Sequence, residues 1–121
     1  MSEARMLPFP KSRRLTSTSE FERVKREGCA QCGKLMLLAV LAVQNSRASR
    51  SGFVTTRRLG SATARNRVRR RLREIVRKHQ HDLREGFWIV LIARPDAADA
   101  TYRALEDEWL RLAKRASILA L

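Results

Sequence analysis

Nine consecutive apolar residues, Leu35 to Val43 (LMLLAVLAV), constrain this chain more than any other stretch. They cannot be left in water, and they cannot span a bilayer as a helix, which needs about 20 residues. A short apolar run bounded by polar residues has the pattern of a strand buried on both faces. The rest of the chain has to supply what covers it.

Two further runs read as strands. FVTTRR alternates, with Phe53, Thr55 and Arg57 on one face and Val54, Thr56 and Arg58 on the other. FWIVLIARP ends at Arg94-Pro95, because the residue before a proline is pushed out of helical geometry. Between the first two strands, QNSRASRSG is a polar turn region. TSTSEFERVKREG reads as a short helix capped by Ser17, Thr18 or Ser19. Ser19 with Glu22 fits a capping box, and Gly28 suits a left-handed stop. Gly60 breaks the second strand, and Ser61 or Thr63 can cap a long helix. Its apolar stripe is Val68, Leu72, Ile75, Val76 and His79, at helical spacing. DAADATYRALEDEWLRLAKRAS is a final helix with Tyr102, Leu105, Trp109, Leu112 and Ala116 on one side. The order helix, strand, strand, helix, strand, helix predicts an α/β (α+β) two-layer sandwich. Its sheet is small and mixed, of about three to four strands, packed by helices. A chain of 121 residues suits one domain. We read that domain as residues 15–121, preceded by a flexible basic arm, 1–14.

The long helix carries an unusual load. From Arg65 to Lys78 there are eight Arg or Lys and one acid, Glu74. The whole chain has net charge +14, of which residues 47–81 hold +11. Such an excess calls for a polyanionic partner. The bias of 21 Arg over 5 Lys favours phosphate, which the planar guanidinium grips in two places. At 100° per residue, Asn66, Arg70, Arg73 and Arg77 fall opposite the apolar stripe. Arg67, Arg71 and Lys78 flank it on one side and Arg69 on the other, while Arg65 lies over the sheet edge. Like charges at i, i+4 cost a few tenths of a kcal/mol each, and cations in the first turns oppose the helix dipole. The arrangement weakens the free protein and becomes favourable when phosphates arrive, the more so because a helix start already offers free N–H groups.

Other classes lack support. A membrane-surface helix needs bulky apolar residues opposite its charges, and this one has short aliphatics spaced to pack on a sheet. The opening MSEARMLPFPKSRR has an acid and two prolines where a secretory signal needs an apolar run, so a cytoplasmic protein is expected. Cys29 and Cys32 form a lone CAQC with no second pair, which suits two reduced thiols next to a strand better than a zinc site. No catalytic set is visible: His79 and His81 lack a carboxylate at matching spacing, and Glu106, Asp107 and Glu108 read as a solvated acidic face. A DNA-binding regulator would want helix-turn-helix spacing, whereas strands surround this helix.

The segment RRLGSATARNRVRRRLREIVR resembles the signature of the bacterial ribonuclease P protein subunit. That family shows two basic residues, a hydrophobic residue, Gly, a short link, then Arg-Asn-Arg and a basic helix. Here these are Arg57, Arg58, Leu59, Gly60, Arg65, Asn66, Arg67, Arg69, Arg70 and Arg73. LTSTSEFERVKREG and FWIVLIARPDAADATYRALEDEWLRL resemble the family's opening helix and its last strand, turn and helix. The resemblance implies a non-catalytic subunit of an endoribonuclease. The RNA partner removes the 5′ leader of precursor tRNA, with Mg2+ required by the RNA-containing holoenzyme and no cofactor bound by the protein alone. It implies that Arg57, Arg58, Arg65, Asn66, Arg67, Arg69, Arg70, Arg73 and Arg77 face RNA, and that Phe21, Arg14 and Lys25 touch the leader. It further implies a left-handed βαβ crossover, a monomer in a 1:1 ribonucleoprotein with the ribonuclease P RNA subunit and precursor tRNA, and neither membrane nor small-molecule substrate. Relatives often carry aromatics where this chain has Lys25 and Ala39, which thins the stacking platform. The alternative is a general RNA-binding or ribosomal-type protein without a role in tRNA cleavage. A free-standing nuclease is a further competitor.

Overall fold

The computed structural model describes residues 14–15, 17–43 and 49–119. Residues 1–13 of the expected arm and 44–48 of the expected polar turn lie outside them. The elements run α1 (Thr18–Glu27), β1 (Cys29–Cys32), β2 (Met36–Ala42), β3 (Arg50–Val54), α2 (Ala62–Lys78), β4 (Phe87–Ala93) and α3 (Tyr102–Arg115). Single 3₁₀ turns at Arg57–Leu59, Gln80–Asp82 and Pro95–Asp99 join them. The sheet order is β1-β2-β4-β3. β1, β2 and β4 are antiparallel neighbours, and β3 runs parallel to β4, joined to it through α2.

The nine-residue apolar run is central, as its composition requires. Alternate residues of β2 and β4 serve two cores. Met36, Leu38, Val40, Ile89 and Leu91 pack on the stripe Val68, Leu72, Ile75 and Val76 of α2 and on Leu105, Trp109 and Leu112 of α3. Ala39 and Val90 face the other way, onto Val24 of α1 and Leu15. Each fully buried aliphatic contributes roughly 1.5–3 kcal/mol, so the α2–α3 side holds most of the stability. α1 is a smaller cover, fastened by polar contacts. Arg50 donates to Glu20 at 2.7 Å and to the Arg14 carbonyl at 2.8 Å. The guanidinium carbons of Arg23 and Arg50 each lie 5.5 Å from the Trp88 ring.

Several expectations are corrected. Cys29 and Cys32 lie in a strand, β1, as exposed free thiols. Four mostly exposed residues carry too little alternation to announce a strand. The strand expected from Phe53 to Arg58 begins earlier, at Arg50, and ends at Val54, because Ser51 and Gly52 are buried against neighbours despite their turn-like composition. Of the three candidate caps Ser17 caps α1, and the capping box it forms is with Glu20, in place of the expected Ser19–Glu22 box. Gly28 is extended (φ −84°, ψ 176°), since the chain passes straight into β1. Glycine is needed there because a Cβ would strike the carbonyls of Val24 and Val40.

The acidic face of α3 is corrected too. Asp107 is exposed, but Glu108 is buried, its side chain 4% exposed. Its Oε2 accepts from the backbone N–H of Leu35 at 2.7 Å and of Met36 at 2.9 Å. The carboxylate therefore clamps the β1–β2 turn. Among the described residues, no helix is long and apolar enough to cross a membrane.

Candidate nucleic-acid interface

α2 starts cleanly. Gly60 has φ 139°, which a side chain would resist, and Ser61 then caps the helix by accepting from the Ala64 N–H at 3.2 Å. The first turn holds no acid. Just before it, Arg57 and Arg58 sit exposed on the 3₁₀ turn, brought beside the helix start and not onto a strand face.

The eight bases of α2 divide by partner. Among the described residues, only Arg77 and Lys78 meet carboxylates: Arg77 with Glu74, and Lys78 with Glu106 at 3.0 Å. Arg70, Arg67 and Asn66 are exposed, and Arg65 is half-buried. Arg67 reaches the Ala98 carbonyl at 3.5 Å, the outer limit of hydrogen bonding, and Arg71 donates to the Ala100 carbonyl at 3.0 Å. Arg69 donates to Asn66 at 2.9 Å and to Thr55 at 2.7 Å. These neutral acceptors orient guanidinium groups without cancelling their charge.

Arg73 and Arg77 do not join the face expected of them. The Arg77 side chain is 12% exposed against Glu74. The Arg73 guanidinium carbon lies 6.0 Å from the Phe53 ring, and its Nε is buried without a hydrogen-bond partner. An arginine stem is long enough to lie along apolar surface and set its head on a ring, so the wheel position alone did not fix where the head goes.

Arg73 instead belongs to a cleft. A cavity of about 170 Å³ lies at the β3 edge. Arg14, Leu15 and Phe21 line it from the α1 side, Ser51, Gly52 and Phe53 from β3, and Arg73 from α2. The chain before α1 is held there by a parallel bridge between Arg14 and Ser51. Arg14 Nε is likewise buried without a partner. Phe21 is half-buried, with its ring so close over Gly52 that a Cβ there would strike it. Of the residues expected at the leader, Arg14 and Phe21 thus converge, while Lys25 is exposed and lines none of this cavity.

The sequence reading missed Arg73 as a cleft residue, Thr55 as a partner of Arg69, and Trp88 as a ring met by two guanidinium groups. No local signal marks any of them. His79, taken as part of the apolar stripe, stacks on Trp109 with centroids 5.6 Å apart and meets Glu106 at 2.8 Å. The hydrogen bond from His79, seconded by Lys78, holds the Glu106 carboxyl below its ordinary range, with burial opposing. Among the described residues, no three His, Cys, Asp or Glu side chains converge as a metal site would require.

The profile of the family described as Ribonuclease P matches residues 9–117. The ribonuclease P protein component of Symbiobacterium thermophilum is 38% identical over 109 residues, covering 90% of this chain and 95% of that one. The component of a Roseiflexus species is 42% identical over 108 residues, covering 88% and 87%. Among solved structures, the RNase P protein of Thermotoga maritima superposes with a TM-score of 0.76 at 28% identity, covering 84% of this chain and 96% of that one. The Staphylococcus aureus RNase P protein shares the fold, with a TM-score of 0.84 at 23% identity over 90% of this chain and 99% of that one. With its Arg-Asn-Arg helix start, its unmatched cations and these relatives, the chain belongs to the ribonuclease P protein family.

Proposed function

We propose that this chain acts as the protein subunit of ribonuclease P, binding the catalytic RNA and the 5′ leader of precursor tRNA while the RNA performs the cleavage. One observation carries the reading. Six of the eight bases on α2 lack a carboxylate partner among the described residues. A free protein gains nothing from that arrangement, and an RNA backbone would neutralise it.

Two surfaces share the work. Arg57, Arg58, Asn66 and Arg70 would meet the RNA subunit, with Arg65, Arg67 and Arg69 beside them. The cleft between Arg14 and Arg73 would take the single-stranded leader. There two guanidinium groups attract phosphate, and Phe21 offers a ring edge for a base. Arg77, tied to Glu74, would contribute less than its neighbours, and Lys25 would act on the leader only at longer range. Magnesium would be held by the RNA. The protein would work as a monomer in a 1:1 complex in the cytoplasm.

The test is reconstitution at low magnesium. The chain alone is expected to leave precursor tRNA intact, and with the catalytic RNA it should restore leader removal. Cleavage by the chain alone would overturn the assignment, and failure to assist the RNA would favour the general RNA-binding alternative.

A further inference from the structure

Asn66 is not free to turn its amide. Oδ1 accepts from Nη1 of Arg69 at 2.9 Å, and Nη2 of Arg69 donates to Thr55 Oγ1 at 2.7 Å. Arginine carries only donors, so the amide can meet it only with its oxygen. The amide NH2 is then turned away from Arg69, on an exposed residue. Arg69 is itself braced, because Thr55 follows directly on β3, which is paired with β4. The orientation of Asn66 is thereby referred back to the sheet through one guanidinium.

We propose that Thr55 and Arg69 are positioning residues that present Asn66 to RNA as a donor, aimed at a phosphate oxygen or a base acceptor. The proposal rests on Asn66 meeting RNA, as set out above. It narrows the chemistry of that contact. Asn reads an adenine edge by accepting and donating together. Here a base amine would have to approach an oxygen already bound to a cation. A contact that needs only donors is what the arrangement favours.

The test is a coupling measurement with the catalytic RNA over a salt series. Thr55→Val keeps the side-chain shape and removes the acceptor. It should weaken RNA binding about three- to tenfold, the scale of one hydrogen bond, while leaving the salt slope unchanged because no charge is removed. Thr55→Ser should restore binding. Asn66→Ala should weaken binding, and Thr55→Val on top of it should add nothing. Should Thr55→Val fail to fold, Arg69→Lys keeps the charge but replaces the planar two-nitrogen fork by a single nitrogen, and the same weakening and the same coupling to Asn66 are expected. Effects that multiply, or no effect in the positioning variants while Asn66→Ala weakens binding, would overturn the proposal. If Asn66→Ala alone leaves affinity intact, the RNA contact it rests on is what fails.

Discussion

The two halves of α2 hold their charges in opposite ways. In its last turns Arg77 meets Glu74, Lys78 meets Glu106, and His79 at the cap bridges to the same Glu106. In the half from Arg65 to Arg73, none of the six arginines meets a carboxylate among the described residues. The helix dipole would advise the reverse, since cations are favoured at a C-terminus and disfavoured at an N-terminus. Where the chain supplies an internal anion, the charge serves the fold. Where it supplies none, the charge is left for a partner, at the end of the helix that already attracts anions.

The largest effect should come from the most deeply paired charge. Glu108 clamps two backbone N–H groups in the β1–β2 turn. Glu108→Ala strands both, at about 1–3 kcal/mol each, and a loss of about 2–5 kcal/mol is expected in urea unfolding. RNA affinity per folded molecule should barely change. A weak effect on stability would break the claim that internally paired charges hold this fold. Phe21→Ala comes next. Its ring both packs over Gly52 and lines the cleft, so leader-dependent substrate affinity should fall by about 1–3 kcal/mol if a base stacks there. Stability alone should fall if the ring is only a cover.

How far the sequence foretold this depends on the length of each signal. The period of α2 and the apolar runs of β2 and β4 extend over seven or more residues, and these elements appear where expected. β1 has four residues, three of them exposed, and offered no pattern. In the TSTS run, Ser17–Glu20 and Ser19–Glu22 both satisfy the capping spacing, so composition alone could not choose. Glu108 finds its partners 72 and 73 residues away, and they are backbone amides, which carry no side-chain identity to read. The basic helix was legible because charge of one sign on one element needs no tertiary information. The cleft role of Arg73 was not, because it depends on where β3 places Phe53.

Arg70 and Arg73 sharpen the contrast within one helix. Arg70→Ala should reduce the salt slope of RNA-subunit binding by about 0.7–0.9 for each phosphate that the side chain neutralises, with stability unchanged within about 0.5 kcal/mol. Arg73→Ala should act on leader-dependent affinity more than on RNA-subunit binding. Equal effects of the two variants in both assays would erase the division between exposed face and cleft.

The smallest effect tests the paired half by pH. Glu106 has its carboxyl held below the ordinary value first by the hydrogen bond from His79 and then by Lys78. A carboxylate whose folded-state pKa is depressed stabilises the fold above its unfolded value, about 4.3 for Glu. That contribution is lost as pH falls through the lower, folded value. The Lys78 side responds at the other extreme. Glu106 raises the Lys78 pKa, so the contribution of that pair persists below the unfolded Lys value and is lost as pH rises through the folded one. Asp82 stands 3.9 Å from the other ring nitrogen of His79. Glu106→Gln should therefore flatten the loss of stability below about pH 4.3 without removing it, by a few tenths to about 1 kcal/mol. Urea midpoints compared at about pH 6 and about pH 3 measure it. An acid profile identical to that of the unmodified chain would mean that this carboxylate does not fasten α2 to α3, and the contrast between the two halves of the helix would then rest on Glu74 alone.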